Sequence, residues 1–296
     1  MKIFDCFMYY DEEIVLDLRL NILDKFVDEF VIVESKYTHS GEKRNLLFDI
    51  NKYSKFKNKI NYIVLEKQPN NLETVNTGDS EDKTNSKYIM NALKRENYQR
   101  NTIKKGIEHA SPDDLILISD VDEIPNLAEL NINEIGNEII LFKQNFYYYK
   151  FNLKLENMPW FGTKACKYKI LKSPQWLRNV KGKNYPLWRL DVLFSEKKYS
   201  NIKFINNGGW HFSNMKTPDE IEKKMRTYLH HREYDIKPLG TNKIKEIIKN
   251  KKSIYNLRAD MKTEKIDGTQ DLKATDGNEL PEFIKENRKK YTNWIE

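Results

Sequence analysis

An open, mainly parallel α/β sheet with a helical C-terminal extension is the fold class the sequence predicts, and three observations predict it. Over the first 125 residues, short apolar runs alternate with segments of helical period in the order β-α-β-β-α-β, as in a sheet covered on both faces. Aromatic-rich, strand-like segments follow, and from Thr217 onward the chain reads as helical. At 296 residues, with 39% hydrophobic and 12% aromatic content, the chain is long enough for a sizeable core and too aromatic to be disordered. No Gly/Pro/Ser-rich linker divides it and no internal repeat is visible, so one unit is expected, with parts at 1–125, 126–215 and 216–296.

Residues 2–9, KIFDCFMY, read as a buried strand. Residues 11–27 read as a helix, with Ile14, Leu18, Ile22 and Phe26 on one stripe. Residues 30–34 and 60–65 are apolar runs of strand length. The Asn/Asp/Ser/Thr-rich stretch 66–86 lacks apolar periodicity and predicts a long loop. A helix is expected over 87–109, stopped by Ser111-Pro112, and LILIS at 115–119 gives a fourth strand. Strands are expected within 138–155, 164–171 and 202–213, and helices near 218–231, 243–261 and 281–294, the first opened by a capping box at TPDE.

Composition narrows the function. No run of apolar residues is long enough to span a bilayer. The opening MKIFDCFMYYDEE carries no small-residue cleavage site, so no signal peptide is expected. Cys6 and Cys166 are too few for a disulfide scaffold or a thiolate zinc site and are expected as buried hydrophobes in a reducing compartment. The net charge of +7 comes largely from Lys and Glu interspersed along helices, and no aromatic RNA-reading signature accompanies it, so nucleic acid is not an expected partner. The most biased stretch holds Lys243, Lys245, Lys249, Lys251, Lys252, Arg258, Lys262 and Lys265. It reads as a solvated face, or as peripheral contact with an anionic membrane.

The chemistry lies in SDVDEIP, where Asp120 and Asp122 end a buried apolar strand. Open α/β sheets bind ligands at that edge. Carboxylates at i and i+2 of a strand share a face and can approach one hard cation, Mn²⁺ or Mg²⁺. Such an ion bridges phosphates and neutralises the charge on a departing diphosphate. Like charges this close are unfavourable without a counter-cation, although a pair of capping aspartates is the plainer alternative. An EF-hand is excluded by Ile124 and Pro125, and no P-loop or G-x-G-x-x-G is present. An aspartyl-phosphate phosphatase would carry its acids after the first strand, not the fourth.

Four blocks occur in order: the opening strand and helix with its Tyr-Asp-Glu; Thr38-His-Ser-Gly41-Glu-Lys-Arg44; SDVDEIP; and Gly209-Trp210-His211-Phe212-Ser213 followed by Thr217-Pro218. Ile266-Asp267-Gly268-Thr269 is a weaker fifth. Together they resemble glycosyltransferase family 17, whose known activity is N-acetylglucosaminyl transfer to N-glycans. The resemblance implies a GT-A-type fold, a UDP-sugar donor with UDP-GlcNAc expected, a divalent metal at the Asp-x-Asp, and inversion at the anomeric carbon. Residues 1–125 would then be the nucleotide-binding half, 126–215 the acceptor half and 216–296 the helical extension.

Carried onto this chain, the metal would be held by Asp120, Asp122 and His211. Asp120 would also serve the donor ribose or diphosphate. Glu34 would reach uracil or ribose, Arg44 the diphosphate, and Arg100-Asn101 the nucleotide. Tyr10 or Phe7 is a candidate to stack on uracil. Trp160, Trp188 and Trp210 are candidates for a sugar platform, with core packing the plainer role. An inverting displacement needs one carboxylate base; sequence offers Asp191 and Glu156. The expected acceptor is a glycan or lipid-linked saccharide, met in the cytoplasm or at the inner membrane face. Two other readings fit the motif less well: a non-catalytic glycan-binding protein on the same fold, and a metal-dependent phosphohydrolase.

Overall fold

A computed structural model describes the chain at residues 1–186, 189–229, 231–256, 268 and 270–296. The apolar runs of the N-terminal part become β1 (Ile3–Tyr9), β2 (Glu29–Ser35), β3 (Ile60–Leu65) and β4 (Leu115–Asp120). They are joined by α1 (Glu13–Leu23) and α2 (Glu81–Thr102). Further along come β5 (Glu123–Pro125), β6 (Ile139–Phe142), β7 (Gln144–Tyr148), β8 (Leu153–Trp160), β9 (Lys164–Lys167), β10 (Ile202–Ile205), β11 (Gly209–Ser213) and β12 (Lys273–Ala274). The later helices are α3 (Pro174–Asn179), α4 (Leu190–Leu193), α5 (Pro218–Thr227), α6 (His231–Ile236), α7 (Thr241–Lys249) and α8 (Glu282–Glu286).

The central sheet is mixed. Its order is β10-β6-β9-β4-β1-β2-β3. β1 pairs in parallel with both β2 and β4, and β2 with β3, but β9 runs against both of its neighbours. A second, five-stranded sheet, β12-β8-β7-β11-β5, was not foreseen. It grows out of the Asp-x-Asp turn, because β5 begins three residues after β4 ends and pairs antiparallel with β11.

Alternation along β1 explains the two layers of the core. Ile3, Phe7 and Tyr9 face α1 and the C-terminal segment, whereas Phe4 and Cys6 face the layer of Ile103, Ile107, Trp176 and Leu177. A third apolar cluster joins Phe146, Tyr148 and Leu155 of the second sheet to Ile221, Met225 and Ile244 of the C-terminal helices. Cys6 and Cys166 are both buried and unbridged.

Several expectations need correction. The stretch read as a loop over 66–86 is helical from Glu81, capped by the Ser80 hydroxyl with Glu81 and Asp82 in its first turn. Capping chemistry, rather than apolar periodicity, starts that helix. The helix expected over 281–294 is shorter, with α8 ending at Glu286 and a 3-10 turn at Thr292–Trp294. The predicted stripe of α1 is incomplete, since Val15, Leu16, Leu20, Leu23 and even Arg19 are buried with Leu18. α7 covers the start of the helix expected at 243–261; residues 257–261 lie outside the described residues, as do Trp188, Arg258, Lys262, Lys265 and all of the Ile266–Thr269 block except Gly268.

Candidate active site

A cleft of about 390 Å³ opens where the carboxyl edge of the central sheet meets β11 and α5. Its floor is the turn after β4. Arg19, fully buried on α1, makes that turn. Its guanidinium donates to both oxygens of Asp5, to the Ser119 hydroxyl, and to the backbone carbonyls of Asp120, Val121 and Glu123 at 3.1, 3.2 and 2.8 Å. A turn with three carbonyls held by one rigid fork, and the Asp122 carbonyl held by the Phe212 N–H at 2.8 Å, keeps its side chains in fixed directions.

Asp120 lines the cleft, but both of its oxygens are already claimed. Oδ1 accepts from Arg100 at 2.9 Å and Oδ2 from Arg178 at 2.8 Å. Enclosure works to raise its carboxyl, but the Arg178 and Arg100 charges outweigh that and hold it well below the usual carboxylate range. Arg178 also grips both oxygens of the fully buried Glu123, at 2.9 and 2.7 Å, and the carbonyl of Gly162 at 2.5 Å. Gly162 is required here, since a Cβ would stand 2.3 Å from the Glu123 carboxyl carbon. Trp160 completes the knot by donating its indole N–H to Glu123 at 2.6 Å.

Asp122 is differently placed. Its Oδ1 stands 3.5 Å from His211 Nε2. Burial raises the Asp122 carboxyl, but the neighbouring imidazole more than offsets this, leaving it below its ordinary value. The β5–β11 ladder creates the encounter by setting His211 opposite Glu123. The imidazole is stacked on Trp160 at 4.9 Å and meets the Phe146 ring edge-on at 4.1 Å. Its Nδ1 is buried without a partner. A carboxylate oxygen and an imidazole nitrogen, converging at an open cleft, fit a borderline cation such as Mn²⁺. Among the described residues no group of three or more His, Cys, Asp or Glu could hold a metal. A cation here would therefore rest on Asp122 and His211, completed by ligand oxygens.

The remaining expected residues divide sharply. Arg44 lines the cleft, its guanidinium stacked 4.1 Å over the Tyr10 ring and tied to Glu34 at 2.8 Å. Glu34 itself does not reach the cleft. It is fully buried and accepts from Arg44, Leu47 N, Phe48 N and the Tyr62 hydroxyl, so it anchors the loop that carries Arg44. Arg100 is buried in the cleft wall beside Glu96 and Asp120. Its neighbour Asn101 points away and is exposed, accepting from Gln175 N at 3.0 Å. Phe7 is core, beneath the Arg19 guanidinium. Trp210 is also core, with its indole on the Glu279 carbonyl.

Neither expected base is in the cleft. Asp191 is exposed and paired with Arg189 and Lys198, whose hydrogen bonds depress it to about 2. Glu156 is exposed on the second sheet, 3.2 Å from Lys273. Neither carboxylate lines the cleft, and each has a lysine or arginine partner instead.

The family model of glycosyltransferase family 17 matches residues 1–295, essentially the whole chain. The chain belongs to glycosyltransferase family 17. No curated protein matches it. Membership makes the chain a glycosyltransferase, which takes a nucleotide-sugar donor and a glycan acceptor. In this family 17 chain the matching blocks meet at one place: Tyr10, Arg44, Asp120, Asp122 and His211 all line the cleft.

Sequence reasoning missed Arg178, Arg19 and Lys224. Arg178 follows a helix-start signal, Ser173-Pro174, in a helix of only six residues, too short to show a face. Asp5 was detectable as the one charge in the apolar run of β1, whereas Arg19 shares α1 with Glu13 and Asp17 and carried no such signal.

Proposed function

We propose that this family 17 chain is an inverting transferase on a GT-A-type fold, moving GlcNAc from UDP-GlcNAc to a hydroxyl of a glycan or lipid-linked saccharide with Mn²⁺ or Mg²⁺. The observation that carries the reading is the approach of Asp122 to His211 on the floor of the cleft, at the carboxyl edge of the sheet, beside a wall of aromatic and guanidinium groups. When bound, the cation supplies charge neutralisation to the diphosphate.

The chain's own residues would act as follows. Asp122 and His211 hold the cation. Arg19 fixes the turn beneath them, and Arg178 with Arg100 holds Asp120 and Glu123 rigid. Tyr10 and Arg44 form a flat cationic surface suited to the uracil ring. Although its charge is felt at Lys216, the cleft carboxylate Glu12 has no Lys or Arg within ion-pair distance among the described residues. One of its oxygens accepts from the Tyr10 and Asp11 amides at 3.1 Å, which orients the other to take the acceptor proton.

A cytoplasmic setting, with peripheral contact to the inner face of an anionic membrane, is the accompanying proposal. Among the described residues no helix is long and apolar enough to cross a membrane. The deciding experiment incubates the protein with a panel of nucleotide sugars, Mn²⁺ and saccharide acceptors, and follows free UDP. Release from UDP-GlcNAc, abolished by chelator, supports the reading; release from none of the UDP-sugars overturns it.

A further inference from the structure

The cationic groups of the cleft are unequal. Arg44 is committed to Glu34, Arg100 to Glu96 and Asp120, and Arg178 to Asp120 and Glu123. Lys224 lines the same cleft and has no carboxylate within ion-pair distance among the described residues, although its charge is felt at Asp122. Its backbone is fixed. α5 starts from a reciprocal cap between Thr217 and Glu220, and Ile221 and Met225 on either side of Lys224 are buried. Lys224 is therefore half-buried and turned inward while Lys223 is exposed.

A second observation lies on the same wall. Asn214, just past β11, adopts φ 54 although it is not glycine. It is 3% exposed, it lines the cleft, and its Nδ2 has no hydrogen-bond partner. An orphaned buried donor in left-handed backbone is costly and collects where a ligand completes it.

From these two we infer that Lys224 and Asn214 form an anion subsite for the terminal phosphate of the nucleoside diphosphate; the inference rests on the function proposed above. The charge balance explains why a free cation is needed. In the intact donor the two phosphates carry one negative charge each, which a divalent cation offsets. As the sugar C1–O bond breaks, its electron pair stays on the terminal phosphate oxygen, the acceptor oxygen bonds to C1, and the acceptor proton passes to a carboxylate. The departing diphosphate then carries one more negative charge. Lys224, unpaired beforehand, takes that charge, and the Asn214 amide donates to the same phosphate. A group that acts on charge appearing only in the transition state raises kcat more than it tightens the ground state.

The test compares Lys224→Met, Lys224→Arg and Asn214→Ala with the parent chain. Titrations with UDP and with UMP in the presence of Mn²⁺ are read beside UDP-release kinetics. Lys224→Met should lower kcat about 100-fold. It should weaken UDP about 10-fold while leaving UMP within about 2-fold, since only UDP has the terminal phosphate. Lys224→Arg should recover most of both, and Asn214→Ala should weaken UDP selectively. Unfolding temperature confirms that each variant is folded. A folded Lys224→Met that binds UDP as the parent does, or loses UDP and UMP equally, overturns the subsite and leaves the transferase reading standing. A parent chain that binds none of UDP, GDP and ADP overturns both.

Discussion

Arg19 donates to both carboxylate oxygens of Asp5, at 2.7 Å from Nε and 2.6 Å from Nη2, where neither side chain meets solvent. The pair joins α1 to β1, and the same guanidinium holds the turn that carries Asp120 and Asp122. Removing one partner strands a buried charge, which costs about 3–5 kcal/mol. Arg19→Met and Asp5→Leu should each show that loss in urea denaturation. The double variant should lose clearly less than the sum, because the stranded charge is gone. Additive losses would contradict direct coupling.

The proposed function treats carboxylates in the cleft and outside it differently. Asp122→Asn should lower turnover by about 100-fold or more, as expected when a charge held for the transition state is removed. Asp191→Ala and Glu156→Ala should stay within about 2-fold of the parent, because both lie outside the cleft on lysine or arginine partners. Steady-state UDP release checks all three. A large loss in Asp191→Ala would restore it as the base.

Glu12→Gln keeps the hydrogen bonds from the Tyr10 and Asp11 amides and removes only the capacity to take a proton. It should lower kcat by about 100-fold with little change in donor affinity. An unchanged kcat would place the base elsewhere.

Legibility in the sequence followed how local the signal was. LILIS followed by Asp-x-Asp announced a buried strand and the edge at which the cleft opens, and Gly-Trp-His announced the strand that meets it. Glu34 misled because a carboxylate ending a parallel strand suits a ribose ligand as well as a loop anchor. The choice depends on Leu47, Phe48 and Tyr62, distant in sequence and brought together by the loop and β3. Arg178 was invisible for a related reason. Its partners Asp120 and Glu123 lie more than fifty positions upstream, and a six-residue helix has no periodicity to betray an inward face. The second sheet escaped because β5 is three residues long.

Lys164 gives stability a pH dependence whose sign is fixed. Burial first, and then the Arg178 charge, lower its ammonium to about 7, while its Nζ sits 2.5 Å from the Val180 carbonyl. In the unfolded chain the group titrates near its ordinary value of about 10.4. As pH falls from about 10 toward 7, the unfolded chain takes up the proton first, so the folded state loses stability over that window. Below 7 both states are charged and the penalty is constant. Denaturation midpoints across pH 7–10 should rise with pH in the parent and flatten in Lys164→Met. A parent profile without that rise would show that the ammonium is not depressed.

Because His211 reaches Asp122 only through the β5–β11 ladder, the proposed cation seat joins residues that leave the ribosome nearly ninety positions apart. The parallel strands β1 to β3 precede it and can pair first, since Phe4 meets Glu29 and Phe30 meets Ile60 over much shorter stretches of chain. Binding competence is then among the last properties a nascent molecule acquires. On the proposed function, a partly synthesised chain halted before Gly209 would hold Asp122 without His211, so it could not consume donor before it was able to fold.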